Sequence, residues 1–221
     1  MAAELGETND PTQLIPGNPG SITATAQALR LRGDSLREAG TGLQRIDTSD
    51  GWSGAAADAF RAKFQGQPGK WLVAGDCFHA SADALTSYAG TLTWAQKEAA
   101  TAIAQWNAGQ ASTQQATTQH QQAEQQAGHS LAFTDPGEAG RRAARSTLDN
   151  ARKQLDTAGD DAATTAGHAR DKAPEKPGFW SKVGDFFEDA GAGLANAGGH
   201  LLNGLASLGN AVAVDQLLRR G

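Results

Sequence analysis

Apolar residues recur along this chain at helical spacing, in blocks separated by glycine and proline. Ile22, Leu29, Leu36 and Leu43 stand seven residues apart, with Ala26, Ala39 and Ile46 beside them. That stripe predicts a helix over about residues 21–47, with Ser21 as its N-cap. Gly33 inside it costs about 1 kcal/mol relative to alanine. A second pattern runs from Ser53 through Phe60 and Phe64 until Gln65-Gly66-Gln67-Pro68-Gly69 interrupts it, since proline disfavours helix at the residue before it. Beyond the break comes the strongest period of the chain: Trp71, Phe78, Leu85, Leu92, Ala99 and Trp106, with Ala82, Ala89 and Ile103 on adjoining positions. A sustained seven-residue repeat predicts a helix packed in coiled-coil fashion against another. Continued through the Gln-rich stretch 114–126, it would reach about 85 Å at 1.5 Å per residue.

Three further stretches complete the division. Residues 1–20 carry Pro11, Pro16 and Pro19 without periodicity and are expected as a disordered or extended arm. Asp135-Pro136-Gly137-Glu138 is a helix-start signal, with Asp as cap and Pro in the first turn. The helix it opens carries Ala144, Leu148, Ala151, Leu155, Ala158, Ala162 and Ala166 in steps of three and four, a narrow seam expected to return antiparallel along the Gln-rich part. The expected organisation is therefore an arm (1–20), a helical hairpin with an extended second helix (21–127), a return helix (128–173) and a linker with a Gly-rich tail (174–221). In the tail, Phe179, Trp180, Val183, Phe187 and the following leucines keep helical spacing, and no charged residue falls between Asp189 and Asp215. That run is long enough for a bilayer. Asn196, His200, Asn203 and many glycines dilute it, so an amphipathic helix on the bundle or on a partner is preferred over membrane contact through residues 179–214.

Composition narrows the class to all-α: an elongated antiparallel hairpin or bundle of long helices with coiled-coil-like packing. Only 6% of residues are aromatic and the hydrophobic 39% leans on alanine, which makes a thin core. A net charge of −5 argues against nucleic acid, whose phosphates need a basic face. One cysteine, Cys77, permits no internal disulfide, and the five histidines lack metal-ligand spacing, so no metal or cofactor is expected. No nucleophile elbow, P-loop or paired-carboxylate pattern is present, and no enzymatic activity is expected. The residues Met1–Asp10 have neither a basic start nor an apolar run, unlike a secretory signal peptide.

Between the first two helical patterns lies Trp52-Ser53-Gly54, followed by Ala57 and Phe60. Tryptophan at such a corner is expected to fill the gap between helix ends. The glycine is expected to remove a Cβ that would hold the helices apart and to tolerate the bend. This conjunction, over about residues 20–108, resembles the Trp-X-Gly family of helical hairpins exported by type VII secretion. It looks closest to the amino-terminal targeting domains of large actinobacterial substrates, which carry toxin or repeat domains further along. The resemblance implies export without a signal peptide, to the medium or the cell surface. It also implies recognition by the type VII secretion ATPase and a signal that joins the corner to a Tyr-x-x-x-acid element.

Here the single tyrosine, Tyr88, is followed four residues on by Leu92. The nearest substitute is Trp94 with Glu98, one helical turn apart. Trp52, Gly54, Ala57, Phe60, Trp94 and Glu98 are thus the expected recognition residues. The stripe Trp71, Phe78, Leu85, Leu92 and Trp106 outruns the first helix, which spans only about 35 Å. It is therefore read as an interface for a small Trp-X-Gly-like partner or for a second copy. Two other readings stay open: a structural coiled-coil rod without an export role, and a membrane-active delivery segment.

Overall fold

Pairs of Asx and proline start the first helices. Asp10 Oδ1 accepts from Thr12 N at 2.9 Å and Asn18 Oδ1 accepts from Ser21 N at 3.1 Å, each just ahead of a proline whose missing N–H costs a first turn nothing. The cap of the long first helix is therefore Asn18, and Ser21 supplies the N–H it binds. The computed structural model describes residues 2–48 and 51–174. They form α1 (Pro11–Leu14), α2 (Pro19–Gln44), α3 (Ala55–Phe64), α4 (Gln67–Ala127) and α5 (Glu138–Lys172). Among the described residues there is no strand beyond an isolated bridge between Leu5 and Thr8. The protein is an all-α antiparallel hairpin bundle. The expected break at 65–69 shrinks to Gln65 and Gly66, because Pro68 falls in the first turn of α4, where proline is tolerated.

The chain divides into two compact units, Asn18–Ala89 with Ala158 onward, and the N-terminal residues to Gly17 with Gly90–Thr157. In the first, α2 runs antiparallel to the start of α4. Arg30 pairs with Asp83 and Arg37 with Asp76, while Gly33 faces His79 and Gly75, and Gly40 faces Leu72. Positions thus descend along one helix as they ascend along the other. A Cβ on Gly75 would stand 2.8 Å from the carbonyl oxygen of Gly33, and one on Gly33 2.9 Å from that of Gly75. The glycine whose helix propensity is poor is where the two backbones close. Ile22, Ala26, Leu29 and Leu36 of α2 are buried, as are Phe78, Ala82, Leu85 and Ala89 of α4 and Ala162, Ala166 and Ala169 of α5. Each buried leucine stabilises the fold by about 1.5–3 kcal/mol, whereas the two exposed ion pairs contribute about 0–1 kcal/mol each. The stripe fades at the end of α2: Leu43 is half-buried and Ile46, past the last turn, is 51% exposed.

In the second unit the N-terminal residues are ordered, contrary to the expected disordered or extended arm. Leu14 and Ile15 are buried. The Gln96 amide donates to the carbonyls of Ile15 (3.1 Å) and Gly17 (3.0 Å), and Arg152 donates to that of Ala3 (2.9 Å). Proline keeps this stretch from showing a period, and the buried Leu14-Ile15 pair together with these bonds attaches it. The return helix also lands elsewhere than expected. Gly137 meets Gly109, Arg141 lies beside Gly109 and Thr147 bonds Gln105 at 3.2 Å, so this part of α5 pairs with α4 ahead of the Gln-rich stretch. Along that stretch an extended segment returns instead. His120 Nε2 contacts the Leu131 carbonyl at 3.0 Å, and Glu124 accepts from Leu131 N and Ser130 Oγ, bonds that hold its carboxyl below the usual range. Alanine and glutamine form helix but give a second helix little to bury, so a peptide segment bonded through its backbone suffices.

Residues 175–221, including the expected linker and tail, lie outside the described residues. No described helix is long and apolar enough to cross a membrane.

Candidate functional site

The corner between α2 and α3 is shaped by two glycines in the left-handed region, Gly51 (φ 69°) and Gly54 (φ 101°). Gly54 stands at the N-cap of α3, and nothing lies within 4 Å of where its Cβ would be. Its function here is backbone conformation alone. The expected second reason, a Cβ that would separate the helices, does not apply. Trp52 departs from expectation as well. It does not fill a gap between helix ends but is 46% exposed, with its ring 5.3 Å from that of Phe60. Phe60 is itself 42% exposed and stacks on Phe64 at 5.4 Å. Ala57 is the one buried residue of α3. The exposed Trp52 and Phe60 rings and the half-buried Phe64 ring therefore follow one another, against a helix anchored through a small residue.

Arg61 fixes this arrangement. Its Nε donates to the Thr48 carbonyl at 2.7 Å, one terminal nitrogen donates to the Trp52 carbonyl, and the other pairs with Asp58 at 3.0 Å. A planar guanidinium holding two loop carbonyls ties both ends of the corner to α3. Phe64 and Arg61 were missing from the sequence-derived site. The i, i+4 spacing of Phe60 and Phe64 was visible, but Phe64 served only to extend the second helix; Arg61 binds the loop through backbone carbonyls, which no residue spacing marks.

Trp94 and Glu98 occupy successive turns of α4 in the other unit, both partly exposed. Trp52, Gly54, Ala57 and Phe60 gather at one corner of their own unit. Tyr88 is buried, with Gly159 of α5 beside its ring.

The stripe assigned to a partner is covered within the chain. Phe78, Leu85 and Leu92 are buried, and the end members Trp71 and Trp106 are half-buried. Leu92 lies against Gly17, and Trp106 has Gly6 against its indole and the Arg145 guanidinium 5.2 Å from its ring centre. The first helix alone is too short to cover the stripe. The N-terminal residues and α5 supply the rest of the cover.

Among the described residues no group of His, Cys, Asp or Glu is arranged to hold a metal ion. Burial first, then the neighbouring Asp76, raises the Cys77 thiol above its ordinary range, which disfavours the reactive thiolate. One polar cluster among the described residues is structural. Asp135 accepts from Thr113 Oγ1 (2.6 Å), Arg141 and Gly137 N (2.8 Å) at the start of α5. The Thr113 bond first, then Arg141, holds its carboxyl down at about 2.

No curated protein and no solved structure gives a significant match to the chain. A family model does, the one described as "Putative T7SS secretion signal domain", over residues 2–177. That span takes in the described helices from α1 to α5, and the chain belongs to this type VII secretion signal family.

Proposed function

We propose that this signal domain is a Trp-X-Gly-type targeting module whose recognition surface is the corner Trp52–Gly54 with the Phe60 and Phe64 rings of α3. The observation that carries the reading is exposure. The bundle buries its other large apolar stripes, yet leaves Trp52 and Phe60 exposed beside the half-buried Phe64, with an arginine holding the corner that presents them. Exposed apolar clusters of this kind mark interaction sites. A small helical protein of the Trp-X-Gly type is the proposed occupant before export, and the type VII secretion ATPase the proposed reader. Trp94 and Glu98 are proposed as the second half of the signal, in place of the Tyr-x-x-x-acid element. The module would lead a larger cargo, a toxin being the proposed kind, and its role is targeting rather than catalysis.

Export of the full chain from a type VII-competent host tests this. Trp52→Ala with Phe60→Ser should reduce the released fraction to background, while circular dichroism and the melting transition stay near wild type. Unchanged release of that variant would refute the corner as the recognition surface. Loss of release on Glu98→Ala alone would support the second element, and undiminished release would remove it.

A further inference from the structure

The same corner carries an inference that goes beyond recognition by another protein. α5 ends at Lys172, and Gly159 of α5 lies beside the Tyr88 ring of α4. The antiparallel α5 then runs on for about 20 Å toward the start of α4, which brings Lys172 level with about Gly75. That level is about 12 Å along α4 from its start at Gln67, and α3 ends at Phe64, shortly before that start. Seven residues of extended chain cover about 24 Å, so Phe179 can reach the C-terminal end of α3. The stretch beginning there, Phe179-Trp180-Ser181-Lys182-Val183-Gly184-Asp185-Phe186-Phe187-Glu188-Asp189, is the most aromatic of the chain.

Charge agrees with reach. Residues 55–70 carry Arg61, Lys63 and Lys70 against Asp58, while residues 179–189 carry Asp185, Glu188 and Asp189 against Lys182. An apolar face with a net positive surround thus lies within reach of an apolar segment with a net negative one. We infer that residues 179–189 of the same chain seat on the Trp52–Phe60–Phe64 face of α3 and cover it until another ligand displaces them. The preferred expectation for the tail, packing on the bundle, then has an address. A protein recognising the corner then competes with the chain's own segment for the same rings.

Hydrogen exchange by mass spectrometry on the full chain reads this directly, without an export assay. In a variant carrying Phe179→Ser, Trp180→Ser and Phe187→Ser, amides of residues 55–64 should exchange about tenfold faster, while those of residues 78–89 stay unchanged. The reciprocal variant, Phe60→Ser with Phe64→Ser, should accelerate exchange in residues 179–189. Both effects together establish the contact. Exchange across α3 that ignores the tail substitutions overturns it. Protection of α3 that survives those substitutions and rises with protein concentration assigns the face to a second copy, and overturns it equally. Because the readout involves neither partner nor secretion, its failure would leave the export reading standing, and failure of the export test would leave this one.

Discussion

The close approach of α2 and α4 at Gly33 and Gly75 permits a test in which two identical substitutions in one helix move stability in opposite directions. Alanine in place of an interior helical glycine gains about 1 kcal/mol from propensity. Gly90 shows that gain alone, since it lies in α4 with nothing within 4 Å of its would-be Cβ. Gly90→Ala should therefore stabilise by about 1 kcal/mol. At Gly75 the new Cβ meets the Gly33 carbonyl oxygen at 2.8 Å and the Arg37 stem. The arginine can swing away, but a helical carbonyl cannot, so α2 must retreat. Overpacking of this kind costs about 1–3 kcal/mol. Less the propensity gain, Gly75→Ala should be destabilised by up to about 2 kcal/mol, leaving the two variants about 1–3 kcal/mol apart. Urea unfolding followed by circular dichroism, with slopes compared to confirm that the same surface is exposed, measures both. A Gly75→Ala protein as stable as Gly90→Ala would show that the helices do not close at this point.

Two further substitutions probe the second unit. Leu92→Ala removes a side chain with no exposed surface and should cost about 2–5 kcal/mol in urea unfolding; a cost near zero would mean that the N-terminal residues do not cover it. Asp135→Asn addresses pH. A carboxyl held down at about 2 stabilises the fold above the ordinary value of 3.8 and loses that contribution as pH falls toward its folded value. The variant should therefore be less stable than wild type near neutrality and approach it in acid, and a constant difference across that range would contradict the Arg141–Asp135 pairing.

Period carried most of the fold. Seven-residue spacing located α2 and α4, and steps of three and four located α5, because a buried face must repeat at the helical period whatever covers it. The same logic says nothing about which element provides the cover. Phe78, Leu85 and Leu92 read as an interface for another molecule, and the structure buries them within the chain. The N-terminal residues escaped notice for a related reason. Short, proline-punctuated segments have no period, and their attachment rests on one apolar pair and on backbone carbonyls bound by Gln96 and Arg152. Asn18-Pro19 was a legible start signal, passed over in favour of Ser21 three residues later.

The corner was legible in identity and misread in mechanism, and the difference bears on function. Trp52 and Gly54 were expected both to pack the helix ends and to be recognised, and only the packing half is corrected by the structure. Gly54 instead packs against nothing, and Trp52 shares its exposed surface with Phe60. A tryptophan held half in water gives less to stability than a buried one, because much of its apolar area is never removed from solvent. Holding it there still requires a left-handed glycine on either side and an arginine bound to two carbonyls. Structure spent on presenting a ring rather than burying it points to a ligand for that ring. The competing occupants, a partner's helix and the chain's own residues 179–189, differ in what they predict for a tail-substituted protein. If the tail is the resting occupant, freeing the face should strengthen partner binding as well as speed exchange in α3. If it is not, both should stay at their wild-type values.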